Sequence, residues 1–312
     1  MITYVVGDLF KSPARVLVNT VNTVGVMGKG IAKDFKKVYP DMFKQYQVIC
    51  ENKQLDIGKL WLYKTNHKWI MNFPTKKHWR SPSRPEYIEA GLRKFVSTYA
   101  EKGIASISFP MLGCGNGELN WENEVRPLME KYLDSLPIDI FVHIYRHDLK
   151  TVEHRNIEAI KRWLRSEPGS LSFEEVWDDL LSILNCRQVY KTLDYGEDFS
   201  AQVFDNADEG IIFSKGGVSY QVPKEDLLAI WQHVRDVGFC LKEIIPGSQY
   251  QVASLIMALF NELPYLEPVL ITNDYEQLND KSIGLRLWPR DRFTQNIECI
   301  NGEKQYELAF KN

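Results

Sequence analysis

The residues best suited to chemistry gather in three stretches. From Val18 to Gly30 the chain reads Val-Asn-Thr-Val-Asn-Thr-Val-Gly-Val-Met-Gly-Lys-Gly, an apolar strand running into a glycine-rich turn that opens a helix. Glycines let the backbone approach an anion closely, and the free N–H groups at the start of the helix from Ile31 to Val38 aim partial positive charge at it. The turn therefore reads as a phosphate cradle. Asn19 and Asn22 both donate and accept, which suits ribose hydroxyls. The spacing is neither a GxGxxG fingerprint nor a Walker A loop. A second loop, Gly113-Cys114-Gly115-Asn116-Gly117, puts three glycines in five residues, more than a tight turn requires. The third stretch, Pro74 to Arg84, gathers Lys76, Lys77, His78, Arg80 and Arg84 around Trp79. Five basic or potentially basic groups beside a phosphate site bind nucleic acid or pyrophosphate by charge alone. Trp79 next to Arg80 adds a stacking surface for an exposed base. A lysine half-buried against Phe73 and Trp79 among other cations is pushed toward its neutral amine, the form that attacks carbon. In an extended loop only one of Lys76 and Lys77 faces the site.

The elements that must hold these stretches alternate. Residues 2–6 and 15–19 read as buried strands, and 30–38 and 41–53 have helical spacing. Trp61 to Tyr63 and Trp69 to Phe73 flank Asn66-His67 as a hairpin. A helix is expected at about 85–102, starting at Pro85 with Glu86 in its first turn. A strand at Ile104 to Phe109, a helix at Trp121 to Leu133, a strand at Ile138 to Tyr145 and a helix at about 151–165 complete an α/β unit. Such a unit holds its ligand at the carboxyl ends of the strands. The only linker-like stretch is Ser166-Glu167-Pro168-Gly169-Ser170. Beyond it a smaller α+β domain is expected. Its parts are helices at about 172–184, 224–237 and 249–263 and a hairpin from Phe199 to Val222 turning at Gly216-Gly217.

With both glycine loops and the asparagines on one side of the inferred sheet, the first half resembles a macrodomain, the ADP-ribose-binding fold. Within that family it is most similar to the branch of the DarG-type DNA ADP-ribosyl glycohydrolases and the terminal ADP-ribose protein glycohydrolase. The resemblance covers about residues 1–150. It is carried by Gly7-Asp8-Leu9, by the Val18 to Gly30 stretch, by Asn72-Phe73-Pro74-Thr75-Lys76-Lys77-His78-Trp79-Arg80 and by Leu112-Gly113-Cys114-Gly115-Asn116-Gly117. It implies a three-layer α/β macrodomain with a mixed central sheet over 1–165, followed by the α+β domain over 170–312. It also implies roles. Asp8, with Leu9, takes the adenine amino group, against a competing reading of Asp8 as a helix N-cap. Gly28, Lys29, Gly30 and Ile31 clasp the diphosphate together with Gly113, Cys114, Gly115, Asn116 and Gly117. Asn22 reaches the distal ribose, while Asn19 does so or makes a local turn bond. Lys76, after Thr75 in the Phe-Pro-Thr-Lys motif, is the nucleophile, passing through a Schiff-base-type intermediate. By charge and stacking, rather than by the resemblance, Lys77, His78, Trp79, Arg80 and Arg84 are expected to contact DNA.

Two departures concern proton transfer. The acidic residue in the second loop of the protein glycohydrolase is Gly117 here, and the Leu-Asp-Trp of many antitoxin relatives is Leu119-Asn120-Trp121. Glu118 substitutes for that carboxylate, faces solvent or serves the next helix. The implied activity is removal of ADP-ribose from nucleobases in DNA, as an antitoxin to a DNA ADP-ribosyltransferase. A non-catalytic reader and a hydrolase of protein-linked or free ADP-ribose derivatives are the competing readings. No metal or redox cofactor is implied.

Composition sets outer bounds. The chain has 312 residues, 44% of them hydrophobic, room for two domains. Residues 1–150 carry 22 Lys and Arg against 15 Asp and Glu, net +7, and residues 151–312 carry 16 against 26, net −10. The basic half suits a polyanion, and the acidic half suits a basic partner such as the toxin itself. Five scattered cysteines without a CxxC pair predict neither a disulfide framework nor a zinc site. His78, His143 and His147 share no ligand spacing; His143 is expected in the core, and Cys114 is expected to act as a small residue. No apolar run long enough to span a membrane and no signal peptide is read, so a cytoplasmic location is expected.

Overall fold

The computed structural model describes residues 2–145, 157–205, 209–242, 245, 252–272 and 281–287. They fall into two compact units, 1–164 and 165–312.

The first unit is built on a six-stranded sheet. Its strands are β1 (Ile2–Val6), β2 (Val16–Val21), β3 (Trp61–Lys64), β4 (Trp69–Pro74), β5 (Ser106–Pro110) and β6 (Asp139–Ile144), in the order β1-β6-β5-β2-β4-β3. All pairings are parallel except β3 with β4, the hairpin read around Asn66-His67. The sheet is covered on both faces, which is why its inner strands read as near-continuous apolar runs. Alternation along β2 divides the core. Val16 and Val18 pack with Met71, Phe73, Phe95 and Phe109 beneath α3 (Pro85–Thr98) and α4 (Arg126–Leu133). Leu17 and Val21 pack with Ile70, Phe35 and Tyr46 beneath α1 (Gly30–Val38) and α2 (Pro40–Glu51). A Cβ on Gly91 of α3 would lie 2.1 Å from Phe73 Cζ, so that helix packs on β4 only because it carries a glycine there.

Two helix boundaries differ from expectation. α3 stops at Thr98. The helix expected at Trp121 begins instead as a π-helical turn, Trp121–Val125, with Asn120 Oδ1 accepting from Asn123 N at 2.9 Å. Pro127, in the first turn of α4, has no N–H to give to the preceding turn, and the hydrogen-bond pattern shifts there. The described part of the next helix is α5 (Ile157–Arg165). Its Trp163 lies beneath Lys33 and Lys36 of α1, with ammonium-to-ring distances of 4.9 and 5.6 Å.

The second unit holds α6 (Phe173–Cys186), the antiparallel sheet β7 (Val189–Lys191), β8 (Asp198–Asp205), β9 (Glu209–Lys215) and β10 (Val218–Pro223), and α7 (Lys224–Val237). The predicted hairpin is β9–β10. Gly216 and Gly217 both have positive φ, +59° and +82°, as a two-residue loop between paired Lys215 and Val218 requires. A second sheet, β11 (Phe239–Leu241), β13 (Lys281–Leu287) and β12 (Leu266–Thr272), was not expected, and α8 (Ala253–Phe260) is shorter than the helix expected at 249–263. The expected linker belongs to this unit: Pro168 is buried in a 3-10 turn, and Trp231 Nε1 donates to Leu171 O at 3.2 Å. Cys50, Cys114 and Cys240 are free thiols, and Cys299 lies outside the described residues. No described helix is long and apolar enough to cross a membrane.

Candidate functional site

The carboxyl ends of β1, β2, β4, β5 and β6 meet at a cleft of about 360 Å³. α1 opens into it. Its N-cap residue Lys29 is extended and makes no side-chain cap bond, and no acidic residue occupies the first turn. The first amides of that helix are therefore available to an anion in the cleft. Gly28, Lys29, Gly30 and Ile31 all line it, and so do Gly113, Gly115, Asn116 and Gly117 across from them.

The glycines are required by close approach. A Cβ on Gly30, at φ +57°, would fall 2.7 Å from Asn116 Nδ2, so the two loops touch there. A Cβ on Gly117 would fall 2.3 Å from Gly113 O, so no side chain, acidic or otherwise, fits at that position. Glu118, at φ +62°, does not line the cleft and does not replace the missing carboxylate. Cys114 also points away. It packs on the core, its Sγ donates to Leu112 O at 3.5 Å, and burial, aided by the charge of Glu124, pushes its thiol up to about 12. Its expected place among the ligand contacts is not where the structure puts it.

Lys76 is buried, 6% exposed, and lines the cleft beside Thr75. Backbone pairing past the ends of β2 and β4 fixes this register. Thr75 N donates to Val21 O at 2.9 Å, and Thr23 donates to Lys77 O through its N (3.1 Å) and its Oγ1 (2.7 Å). Strand alternation then turns Lys76 inward and leaves Lys77 exposed. The Lys76 ammonium nitrogen lies 3.4 Å from Trp79 O, a long contact.

The rest of the basic loop departs from its expected DNA-facing role. Trp79 is fully buried, with the Arg80 guanidinium 4.9 Å above its ring and the His78 ring 5.8 Å away, so it offers no surface for a base to stack on. His78 Nδ1 accepts from Arg80 N at 3.1 Å. Arg84 is exposed and lies over Tyr87. Ser83 N donates to Gly117 O at 3.0 Å, tying this loop to the second glycine loop. None of Lys77, His78, Trp79, Arg80 and Arg84 lines the cleft, and of these five only Lys77 and Arg84 are exposed.

The asparagines are corrected as well. Asn22 reaches the cleft wall, but its amide is spent on its own loop. Nδ2 donates to Val26 O at 2.6 Å, while Oδ1 accepts from Val24 N (3.1 Å), Val26 N (3.3 Å) and the Tyr46 hydroxyl (3.1 Å). Asn22 is a loop organiser. Asn19 does not line the cleft; its Nδ2 donates to Oδ1 of Asn72, its neighbour across the sheet, at 2.9 Å. Asp8 is an N-cap, with Oδ1 accepting from Phe10 N at 3.0 Å, and it lines the cleft with Leu9. The cap reading is thus met and the cleft position retained.

Pro110, Met111, His143, Tyr145 and the exposed Asp34 line the cleft without having been singled out for it. The first four follow from topology, since they sit at the ends of β5 and β6 between β1 and β2. Burial pushes the Tyr145 hydroxyl up to about 12. His147 lies outside the described residues. Among the described residues no group of three or more His, Cys, Asp and Glu is placed to hold a metal ion.

A family model described as Macro domain matches residues 18–128. The chain is 39% identical over 194 residues to a protein of Mycobacterium tuberculosis named DNA ADP-ribosyl glycohydrolase, covering 57% of this chain and 54% of that one. It is 40% identical over 162 residues to a DNA ADP-ribosyl transferase-DNA ADP-ribosyl glycohydrolase fusion protein of Thermosipho africanus, covering 46% and 42%. It is 33% identical over 145 residues to the ADP-ribose glycohydrolase OARD1 of Homo sapiens, covering 46% and 90%. The chain spans about half the length of the first two of these relatives.

Proposed function

The chain belongs to the macrodomain family, and from that premise we propose that its first unit removes ADP-ribose from nucleobases in DNA. The observation that carries this reading is a buried primary amine, Lys76, in the same cleft as two glycine loops and a helix N-terminus suited to a diphosphate. With Asp8 at the far end for adenine and the loops on the diphosphate, the distal ribose falls on the Lys76 side. The neutral amine attacks the anomeric carbon and a new C–N bond forms. The bond from that carbon to the base breaks, and the base leaves with the proton the amine gives up. The adduct opens to a Schiff base, and water hydrolyses it to ADP-ribose and free lysine. The orientation of the substrate supplies part of the rate.

Net charge of +7 over residues 1–150 and the exposed Lys77 and Arg84 support a nucleic-acid substrate over a free nucleotide. The names of the relatives agree with that choice. The domain assignment that goes with it is a hydrolase module over 1–165 and an acidic module over 170–312. By analogy with the fused relative, the acidic module engages a cognate ADP-ribosyltransferase.

The test is release of ADP-ribose from modified single-stranded oligonucleotides and from modified protein, comparing the full chain with Lys76→Ala. Release from DNA that falls by about a hundredfold or more in the variant supports the proposal. Tight ADP-ribose binding without release identifies a reader. Release from protein alone moves the substrate class.

A further inference from the structure

We propose that the DNA strand of the substrate runs from the cleft along the β3–β4 hairpin to a second anchor, where Arg15, Lys64 and Lys68 gather around Trp69 and bind its phosphates. This rests on the reading of the first unit as acting on DNA, and it assigns a surface that reading does not use.

The anchor lies at the amino ends of β2 and β4, the end of the sheet opposite the cleft. Lys64 and Trp69 are paired across the hairpin, and the Lys64 ammonium sits 4.1 Å from the centre of the Trp69 ring. The Arg15 guanidinium lies 5.4 Å from the same centre. Arg15 Nη1 donates to Asn66 O and His67 O, both at 3.0 Å, while Nε and Nη2 make no hydrogen bond to a described residue. Lys68 Nζ donates to Ser12 O at 2.8 Å and Ala14 O at 2.6 Å. Burial and the charge of Arg15 hold Lys68 below the ordinary lysine range.

No carboxylate among the described residues pairs with any of these three cations. The α3–α4 side of the unit differs: Glu89 pairs with Arg93 and Lys131, and Arg126 pairs with Glu122 and Glu130. Like charges gathered on one indole repel one another, and an anion placed among them relieves that repulsion.

The anchor is continuous in charge with the cleft, which points to a strand of phosphates. From Ile57 to Pro85 the chain carries seven Lys and Arg and no Asp or Glu. This stretch holds the hairpin and ends in the loop that delivers Lys76. β3 is the edge of the sheet, with no strand on its outer side. Exposed Lys59 precedes it at the cleft end, half-buried Trp61 and Tyr63 lie along it, and exposed Lys64 closes it. Cations that track a backbone, interleaved with aromatics, suit a single strand. The seven residues from Trp69 to Lys76 span about 23 Å at strand rise, or about seven nucleotides at the duplex spacing of about 3.4 Å.

The experiment is fluorescence anisotropy of the full chain with an unmodified single strand of about 16 nucleotides, across a salt series. Lys64→Gln should weaken binding several-fold and lower the slope of log affinity against log salt by about 0.7, and adding Arg15→Gln should lower it by about as much again. Lys94→Gln, the same charge change on exposed α3, should alter neither. ADP-ribose affinity measured by calorimetry should stay at the wild-type value in every variant. Should Arg15→Gln disturb the hairpin, Lys64→Gln decides alone, since the Lys64 ammonium makes no hydrogen bond to a described residue. An unchanged slope in Lys64→Gln, or an equal loss in Lys94→Gln, overturns the anchor and leaves the proposed hydrolysis standing. Displacement of the strand by inorganic phosphate at matched ionic strength also overturns it, in favour of a small-anion site. Binding that depends on Lys64, in a chain that releases no ADP-ribose from DNA, supports the anchor and removes the hydrolysis.

Discussion

In the second unit a buried guanidinium is enclosed by its own partners. Arg165 Nε lies 2.9 Å from Asp179 Oδ2, Glu175 is 3.6 Å from the same guanidinium, and the Tyr265 hydroxyl donates to Asp179 at 3.1 Å. Burial pushes the Asp179 carboxyl up against the pull of Arg165. The first unit buries Lys76, Thr75 and His143 to a similar degree but sets them along the wall of a cleft. The difference separates two uses of buried polarity: groups that close on one another specify packing, and groups that face an open volume await a ligand. Neither arrangement follows from how deeply its residues are buried.

The comparison can be broken at several strengths. Arg165→Ala leaves two buried carboxylates without their counter-charge and should cost about 3–5 kcal/mol in a denaturant melt, with ADP-ribose affinity unchanged. A matching fall in affinity would show that the cluster is not purely structural. Gly117→Ala drives a Cβ toward the Gly113 carbonyl. Strain of roughly 1–3 kcal/mol should appear as a lower melting temperature, and where the loop shifts to relieve it, as a loss of ADP-ribose affinity of up to about a hundredfold. Tyr46→Phe sharpens the contrast further. The Tyr46 hydroxyl donates to Asn22 O at 2.7 Å, so its removal should cost about 1 kcal/mol and raise KM several-fold while kcat stays within about twofold.

The smallest effect belongs to the surface between α3 and α4. Hydrogen bonds from Tyr132, Arg93 and Lys131 lower the Glu89 carboxyl to about 2 from its ordinary 4.5. A lowered carboxylate stabilises the fold above its unfolded value, and that contribution is lost as pH falls through the folded value. Melting temperature between pH 4.5 and 2 should therefore depend less on pH in Glu89→Gln than in the wild type. An identical profile would remove Glu89 from the account.

The sheet of the first unit was legible because parallel strands buried on both faces leave continuous apolar runs, and their order let the two glycine loops be set on one side. The inward turn of Lys76 followed from strand alternation once its register was known. What escaped were side chains whose partners lie far along the chain. Tyr46 claims Asn22 from 24 residues away, and His143 read as core because its neighbours at Gly7 and Pro110 are separated from it in sequence. Trp79 looked like a stacking surface because its exposure depends on Arg80 and on the packing of its loop. In the second unit β12 carries Pro268 and β11 has three residues, too little alternation for either to announce a strand.

The central claim concerns one nitrogen atom. Incubating the full chain with ADP-ribosylated single-stranded DNA in the presence of borohydride should reduce the Schiff base to a stable amine, and peptide mapping by mass spectrometry should find ADP-ribose attached to Lys76. Substrate turnover with no adduct on Lys76, or with the adduct on Lys77, would contradict the account.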